Sequence, residues 1–415
     1  MRGERLALYG GKSVRSVPFP ERFLIGKEEK EAVNRLFDQA MATGAAIGYG
    51  GPEEEAFCQA FARFMGGGYA DGVNSGTTAL FVALRALDIE PFTEVIVTCL
   101  TDPGGMMPIV MNNCIPVIAD TEPFSYNTGP AQIEKLITRY TRAIVVAHIA
   151  GEPCDMTGIM RIANQHKIPV IEDCAQAHGA KLRGRLVGTF GSLAAFSTMF
   201  GKHICTGGQG GIVYTRSQKL AVKARQMADR GKPFTLPPGT SNCVASLNFN
   251  LTEFQAAIGR VQVKKLPWII RRRRSFVRKL RRAFQNFKTV SIPEPLPKSE
   301  PSYWFLRLRF HPEFATCDKT TFCQALVAEG MPVTASYFPM PHLSEWYRAR
   351  RVFGTSGYPW SCPDYKGKKD WSFPCPNAIA GEKVLFRLSV FESWGESELR
   401  DIVKGFKKVE GFFRK

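Results

Sequence analysis

The chain has 415 residues, 44% hydrophobic and 22% charged, which is ordinary globular usage and excludes wholesale disorder, collagen-like repetition and coiled coil. Lys and Arg number 55 against 37 Asp and Glu, and the resulting +18 is an excess that invites a polyanionic partner. No run approaches the roughly 18 to 20 apolar residues that span a bilayer, and the start of the chain lacks an apolar core with a small-residue cleavage site, so a soluble, cytoplasmic protein without a membrane partner is expected.

Two or three domains fit this length. Residues 51–66 read as a complete helix: Pro52 suits its first position, Glu53, Glu54 and Glu55 face the positive end of its dipole, Phe57, Phe61 and Phe64 form an apolar stripe, and Gly66 stops it. Beyond it, short apolar runs (95–97, 115–119, 143–148 and 169–171) alternate with helix-length segments (77–87, 132–137 and 156–166). Strands that are apolar on both faces and separated by helices predict an α/β domain with a large, mostly parallel sheet. Its chemistry belongs in the turns after the strands. Near Phe284 the pattern changes to Pro-rich connections, strands at 303–310 and 385–390, and helices at 320–329 and 396–409. The expected division is therefore an N-terminal arm and large domain over residues 1–284, with 264–284 as a linking helix, and a smaller α+β domain over 285–415.

Three groups lie at predicted strand ends. The first is Asn74-Ser75-Gly76-Thr77-Thr78, a small-residue turn opening a helix; it reads either as a plain N-cap or as an anion site for phosphate. The second is Glu172-Asp173-Cys174-Ala175-Gln176. Two acids ending an apolar strand call for a cationic partner or a metal, unless Asp173 merely caps a helix. Six scattered histidines and eleven cysteines without a CxxC pair argue against a metal, and the cysteines read as reduced thiols. The third is Ser197-Thr198-Met199-Phe200-Gly201-Lys202-His203, running into the Gly-rich 207–211. Lys202 is either a solvated surface group or an amine desolvated into nucleophilic range.

A phosphate cradle, a carboxylate for a pyridinium nitrogen and a Schiff-base lysine are together the kit for pyridoxal 5'-phosphate. The order and spacing, Asp173-x-x-Gln176 and Ser197-x4-Lys202 with NSGTTAL before and NFNLTEFQAAIG after, resemble the DegT/DnrJ/EryC1/StrS aminotransferases. That resemblance implies fold type I, the aspartate-aminotransferase-like architecture, and transfer of an amino group from an amino acid, glutamate or glutamine, to a keto-sugar, nucleotide-linked, or to a keto-cyclitol. It implies that Lys202 forms the Schiff base and shuttles a proton, and that Asp173 keeps the pyridine nitrogen protonated. By the same likeness Gln176 lies against the ring hydroxyl, and Gly76, Thr77 and Ser197 hold the phosphate. Asn248 would reach the phosphate of a neighbouring subunit, so a homodimer with shared active sites is expected.

The chain departs from the family pattern in places. Asp102 stands where many members carry the aromatic stacked on the cofactor ring, and a carboxylate supplies no such contact. Asn250 replaces a common Arg, and Gly208-Gln209 lengthens the Lys202 loop. A histidine in place of the lysine would signal sugar dehydration; here Lys202 holds the aligned position and His203 is only adjacent, which favours transamination. The stretch from Lys264 to Arg282 carries ten basic residues and no acidic one. Its apolar members Leu266, Ile270, Val277, Leu280 and Phe284 recur at helical spacing. It reads as an amphipathic linking helix, as a source of arginines for a substrate diphosphate, or as a polyanion-binding surface of a regulatory protein. No nucleic-acid-binding motif accompanies it, so nucleic acid is not the expected partner.

Overall fold

The computed structural model describes residues 4–234, 237 and 239–415. A seven-stranded sheet organises its first half: β1 (Tyr69–Val73), β2 (Glu94–Thr98), β3 (Ile115–Ala119), β4 (Thr141–Ala147), β5 (Val170–Asp173), β6 (Leu193–Ser197) and β7 (Gly211–Thr215). Their order across the sheet is β1-β7-β6-β5-β4-β2-β3. β7 pairs antiparallel with both neighbours and the remaining contacts are parallel. The carboxyl ends of six strands therefore share one edge, where the predicted chemistry stands. Val95, Ile96, Val97, Ile144 and Ile171 are fully buried, as expected for strands covered on both faces.

The predicted helix at 51–66 is Pro52–Phe64, and its Phe57 and Phe61 are completely buried, each contributing about 1.5–3 kcal/mol. The carboxylate of Glu253 closes its N-terminus by accepting the amides of Glu53 at 3.0 Å and Glu54 at 2.9 Å. The helix expected at 132–137 is the shorter Pro130–Glu134: Pro130 starts it early and Leu136 and Ile137 fall beyond its end.

The linking helix also needs correction. It runs from Glu253 to Phe284, 32 residues, rather than from Lys264. Its start is fixed by a reciprocal cap: the Thr252 amide donates to Gln255 Oε1 at 3.1 Å, and the Gln255 amide to Thr252 Oγ1 at 3.4 Å. Its first turns pack on the Pro52–Phe64 helix so closely that a Cβ at Gly259 would lie 2.7 Å from the Phe57 ring. The predicted stripe Leu266, Ile270, Val277, Leu280 and Phe284 is buried.

Acids from elsewhere meet half of the basic run. Lys265 pairs with Glu29 at 2.7 Å, Arg274 with Glu300 at 2.7 Å, Arg281 with Glu294 at 2.9 Å, and Lys279 with Glu396. Such half-exposed pairs add little stability, but they neutralise the surface. Arg273 is different: it is 1% exposed and bonds Glu392 at 2.8 Å.

After Phe284 a second sheet forms from Val290–Ser291, Phe305–Phe310, Leu385–Ser389 and Val333–Thr334, in that order and antiparallel throughout. Its core includes Leu308, Phe322, Phe386 and Phe406. Two segments cross the expected boundary. Leu6 of the N-terminal arm packs into this second core, whereas Tyr347, Trp360, Tyr365 and Cys375 pack into the core of the large sheet. Among the described residues no helix is long and apolar enough to cross a membrane.

Candidate active site

The turn after β1 opens the Gly76–Ala86 helix. Ser75 caps it by accepting the Thr78 amide on Oγ at 3.1 Å, while the amides of Gly76 and Thr77, first in the helix, have no acceptor among the described residues. Ser197 ends β6 directly opposite: a Cβ on Gly76 would meet Ser197 Cβ at 2.6 Å. Two free amides, a hydroxyl and the positive end of a helix dipole make an anion cradle, here with no room for a side chain between its walls. Gly76→Ala should therefore raise the dissociation constant for the phosphate-bearing cofactor by at least about tenfold, read by titrating apoprotein with cofactor; unchanged affinity would remove this assignment.

The cradle is one wall of a cleft of about 190 Å³ that also exposes Asp102, Asp173, Met199, Lys202 and Gln209. Asp173, last in β5, is 8% exposed, accepts the Ala175 amide on Oδ1 at 3.0 Å, and is pushed above the usual carboxylate range by burial. A cation brought against it, such as a pyridinium, would relieve that penalty. Glu172, the other acid of the strand, faces away: its carboxylate accepts the amides of Gly188, Phe190 and Gly191 and pairs with His148 at 3.1 Å. It is a structural anchor.

Lys202 is also 8% exposed, and burial holds its amine below the usual lysine range, although Asp173 and Asp102 pull it back up. Its Nζ lies 4.1 Å above the centre of the Trp304 ring, whose Nε1 donates to the Gly201 carbonyl at 2.7 Å. Arg22, from the N-terminal arm, donates to the Lys202 carbonyl and, at 2.8 Å, to that of His203. His203 points inward, fully buried, with Nε2 donating to the Ser302 carbonyl at 3.1 Å. The lysine, not the adjacent histidine, faces the cleft.

Asp102 lines the cleft with no aromatic replacement on its own loop. Its Oδ1 accepts the Gly104 amide at 2.9 Å, capping the Pro103–Gly105 turn, and its charge bears on both Lys202 and Asp173. Removing that anion lowers the Lys202 pKa further. The pH midpoint for capture of cofactor by the Asp102→Asn apoprotein is accordingly expected below that of the wild type; an unmoved midpoint would show that the carboxylate does not act on the amine.

Gln176, three residues after Asp173, is not among the residues that line the cleft: its Oε1 accepts the Ala150 amide at 2.9 Å and its Nε2 donates to the Tyr337 hydroxyl at 2.6 Å. Asn248 does not line its own chain's cleft. It is exposed, bridges Asp229 across the backbone, and holds the Asn250 side chain at 2.8 Å. None of the basic residues between Lys264 and Arg282 lines the cleft either. Sequence reasoning missed Trp304, Tyr337, Met199, Gln209 and Arg22. Met199 and Gln209 could have been found from their places beside Lys202; the others carry no local signal.

Comparison with known proteins follows this geometry. The sequence profile of the DegT/DnrJ/EryC1/StrS aminotransferase family matches residues 25–359. The L-glutamine:2-deoxy-scyllo-inosose aminotransferase of Micromonospora echinospora is 31% identical over 97% of this chain and 97% of its own. The dTDP-3-amino-3,4,6-trideoxy-alpha-D-glucose transaminase of Streptomyces venezuelae is 33% identical over 72% and 76%. An aminotransferase of Psychrobacter cryohalolentis superposes with a TM-score of 0.83 at 28% identity, covering 94% of this chain and 98% of that one.

Proposed function

The chain belongs to the DegT/DnrJ/EryC1/StrS aminotransferase family and is a pyridoxal-phosphate-dependent aminotransferase; from this premise we propose that it moves the amino group of glutamine or glutamate to a keto-cyclitol or a nucleotide-linked keto-sugar. The observation that carries the reading is the convergence of Lys202, Asp173 and the Gly76-Thr77-Ser197 cradle on one cleft. The relatives supply the acceptor class, a cyclitol in one and a dTDP-sugar in another.

Bound pyridoxal phosphate supplies a carbonyl that takes up nitrogen and a ring that withdraws electrons from the carbon beside it. The protein's residues do the rest. The free amides of Gly76 and Thr77 and the Ser197 hydroxyl would bind its phosphate, and Gln176 would reach the ring hydroxyl. Asp173 would hold a proton on the pyridine nitrogen, which would make the ring an effective sink. Lys202 Nζ, which burial holds below the usual lysine range, would take a proton from the donor carbon and return it to the cofactor. Trp304 and the Arg22 contact to the Lys202 carbonyl keep the lysine main chain fixed while its amine moves.

Asn248, exposed outside its own cleft, fits a homodimer in which it reaches the partner's phosphate, and the domain division at Phe284 is part of the same proposal. So is a cytoplasmic location, where the eleven free cysteines stay reduced. The test is a half-reaction screen: glutamine or glutamate should bleach the yellow holoprotein and a keto-cyclitol or keto-sugar should restore the colour. A protein bleached by neither donor, or restored only by simple 2-oxo acids, overturns the acceptor class. Sharing of sites is tested by mixing inactive Lys202→Ala chains with cofactor-deficient Asn248→Ala chains. One intact site per mixed dimer should recover activity, and no recovery refutes it.

A further inference from the structure

Outside the cleft, the carboxyl ends of β2 and β3 bring a second set of donors together. Cys99 follows β2 and Asp120 follows β3; Cys375 comes from the segment that returns over the large sheet just before the Pro376–Glu382 helix. The two sulfurs and a carboxylate oxygen all lie within 4.8 Å of one another, and the three residues are 0%, 6% and 3% exposed. His342, on the same returning segment, is 5% exposed and faces the Cys375 thiol. Neither of its ring nitrogens has a hydrogen-bond partner. An imidazole left so deep in the protein with both nitrogens unmatched is costly, and a ligand is one way to satisfy it.

We propose that Cys99, Asp120, His342 and Cys375 form a structural zinc site that clips the 340–375 excursion to the large sheet beside the active-site loop.

The donor set is suited to zinc: two thiolates and an imidazole select a borderline-soft ion, and four protein ligands close the coordination shell, which marks a structural site. Ordinary zinc bond lengths put tetrahedral ligand atoms about 3.3–3.8 Å apart, so the Cys99, Asp120 and Cys375 donors, within 4.8 Å of one another, need to contract by only about 1 Å, while the His342 ring lies outside that set and has to move in as the fourth ligand. Asp120 is already oriented. Its Oδ1 accepts the amides of Thr121 at 2.8 Å and Ala378 at 3.0 Å, whereas Oδ2 accepts that of Asn377 alone at 2.9 Å. One lone pair on Oδ2 remains for a metal, with the backbone amides as its outer support. The contrast with the other buried trio is instructive. In His148, Glu172 and Cys174 the His148 nitrogens are taken by Glu172 and by the Cys154 amide, and three backbone amides satisfy Glu172, so nothing there asks for an ion.

The position gives the clip a purpose. Cys99 is three residues before Asp102, and the Thr101 amide donates to the Pro339 carbonyl at 3.1 Å, so the loop and the start of the excursion are already joined. The sequence hid this site because its donors are scattered over positions 99 to 375 with no local spacing.

The test is metal analysis of full-length holoprotein expressed in zinc-supplemented medium and desalted. Wild type should hold about one zinc per chain, and Cys99→Ser and Cys375→Ser about tenfold less or lower. Cobalt added to chelator-treated wild type should give a thiolate charge-transfer band that both variants lack. Alkylation of the wild type with iodoacetamide should spare Cys99 and Cys375 until chelator is added, a reading independent of whether the variants fold. Wild type without zinc and without cobalt uptake, a native Cys99–Cys375 disulfide, or full zinc content in Cys375→Ser would each overturn the proposal.

Discussion

Lys202→Ala is expected to abolish amino transfer, with kcat/KM falling by on the order of 10⁴-fold or more, because among the described residues no other amine lines the cleft. Borohydride reduction of wild-type holoprotein should fix the cofactor to the peptide carrying Lys202, and the variant should release it. The fold should not suffer. The amine is buried at a desolvation cost and has no ion pair in the free site, so its removal relieves a penalty while opening space over Trp304. The Gly76-Thr77-Ser197 cradle is untouched, and cofactor should still bind non-covalently. A variant with wild-type turnover would end the assignment of Lys202.

The second large effect concerns stability. Glu392 is 1% exposed and receives Arg273 at 2.8 Å and Arg22 at 2.9 Å, while Arg273 also donates to the carbonyls of Tyr303 at 2.9 Å and Trp304 at 3.2 Å. One carboxylate thus ties the N-terminal arm, the long helix and the strand preceded by Trp304. Glu392→Ala leaves two guanidiniums with little or no exposure facing each other, and should cost about 3–5 kcal/mol, measured by denaturant unfolding. Activity should fall as well, since Arg22 holds the Lys202 carbonyl and Arg273 holds Trp304 beneath its amine. Burial opposes the charge on Glu392, but Arg273 and Arg22 keep its pKa below the ordinary value of 4.5. A depressed carboxylate gives stability that is present above the unfolded value and lost as pH falls through the folded one. Wild type should therefore lose this contribution only below about pH 4.5, and the variant should show a shallower acid limb there. Equal stability of the two proteins at neutral pH would show that the carboxylate is not the tie.

The strand ends were legible because the parallel sheet makes them so. Apolar runs locate the strands, and the residues just after them, Asn74 to Thr77, Asp173 and Ser197 to Lys202, fall on one edge whatever the remaining details. The start of the long helix was misplaced because charge and apolar spacing announce the middle of a helix, whereas its beginning was set by Thr252 and Gln255. The basic run could not be interpreted from composition, since its acids come from Glu28, Glu29, Glu294, Glu300, Glu392 and Glu396, on segments brought up only by folding.

By itself, then, the sequence determined the sheet, the cofactor and the strand-end residues that line the cleft, because each lies within a few positions of a strand end and carries its chemistry in its local pattern. Tertiary structure alone decided what surrounds them. Trp304 under Lys202, Tyr337 on Gln176, Arg22 on the lysine carbonyl and His342 against Cys375 all join residues more than 30 positions apart. No spacing rule encodes such contacts; they exist because burial makes an unpaired charge or polar group expensive, and the chain brings a partner from wherever its packing allows.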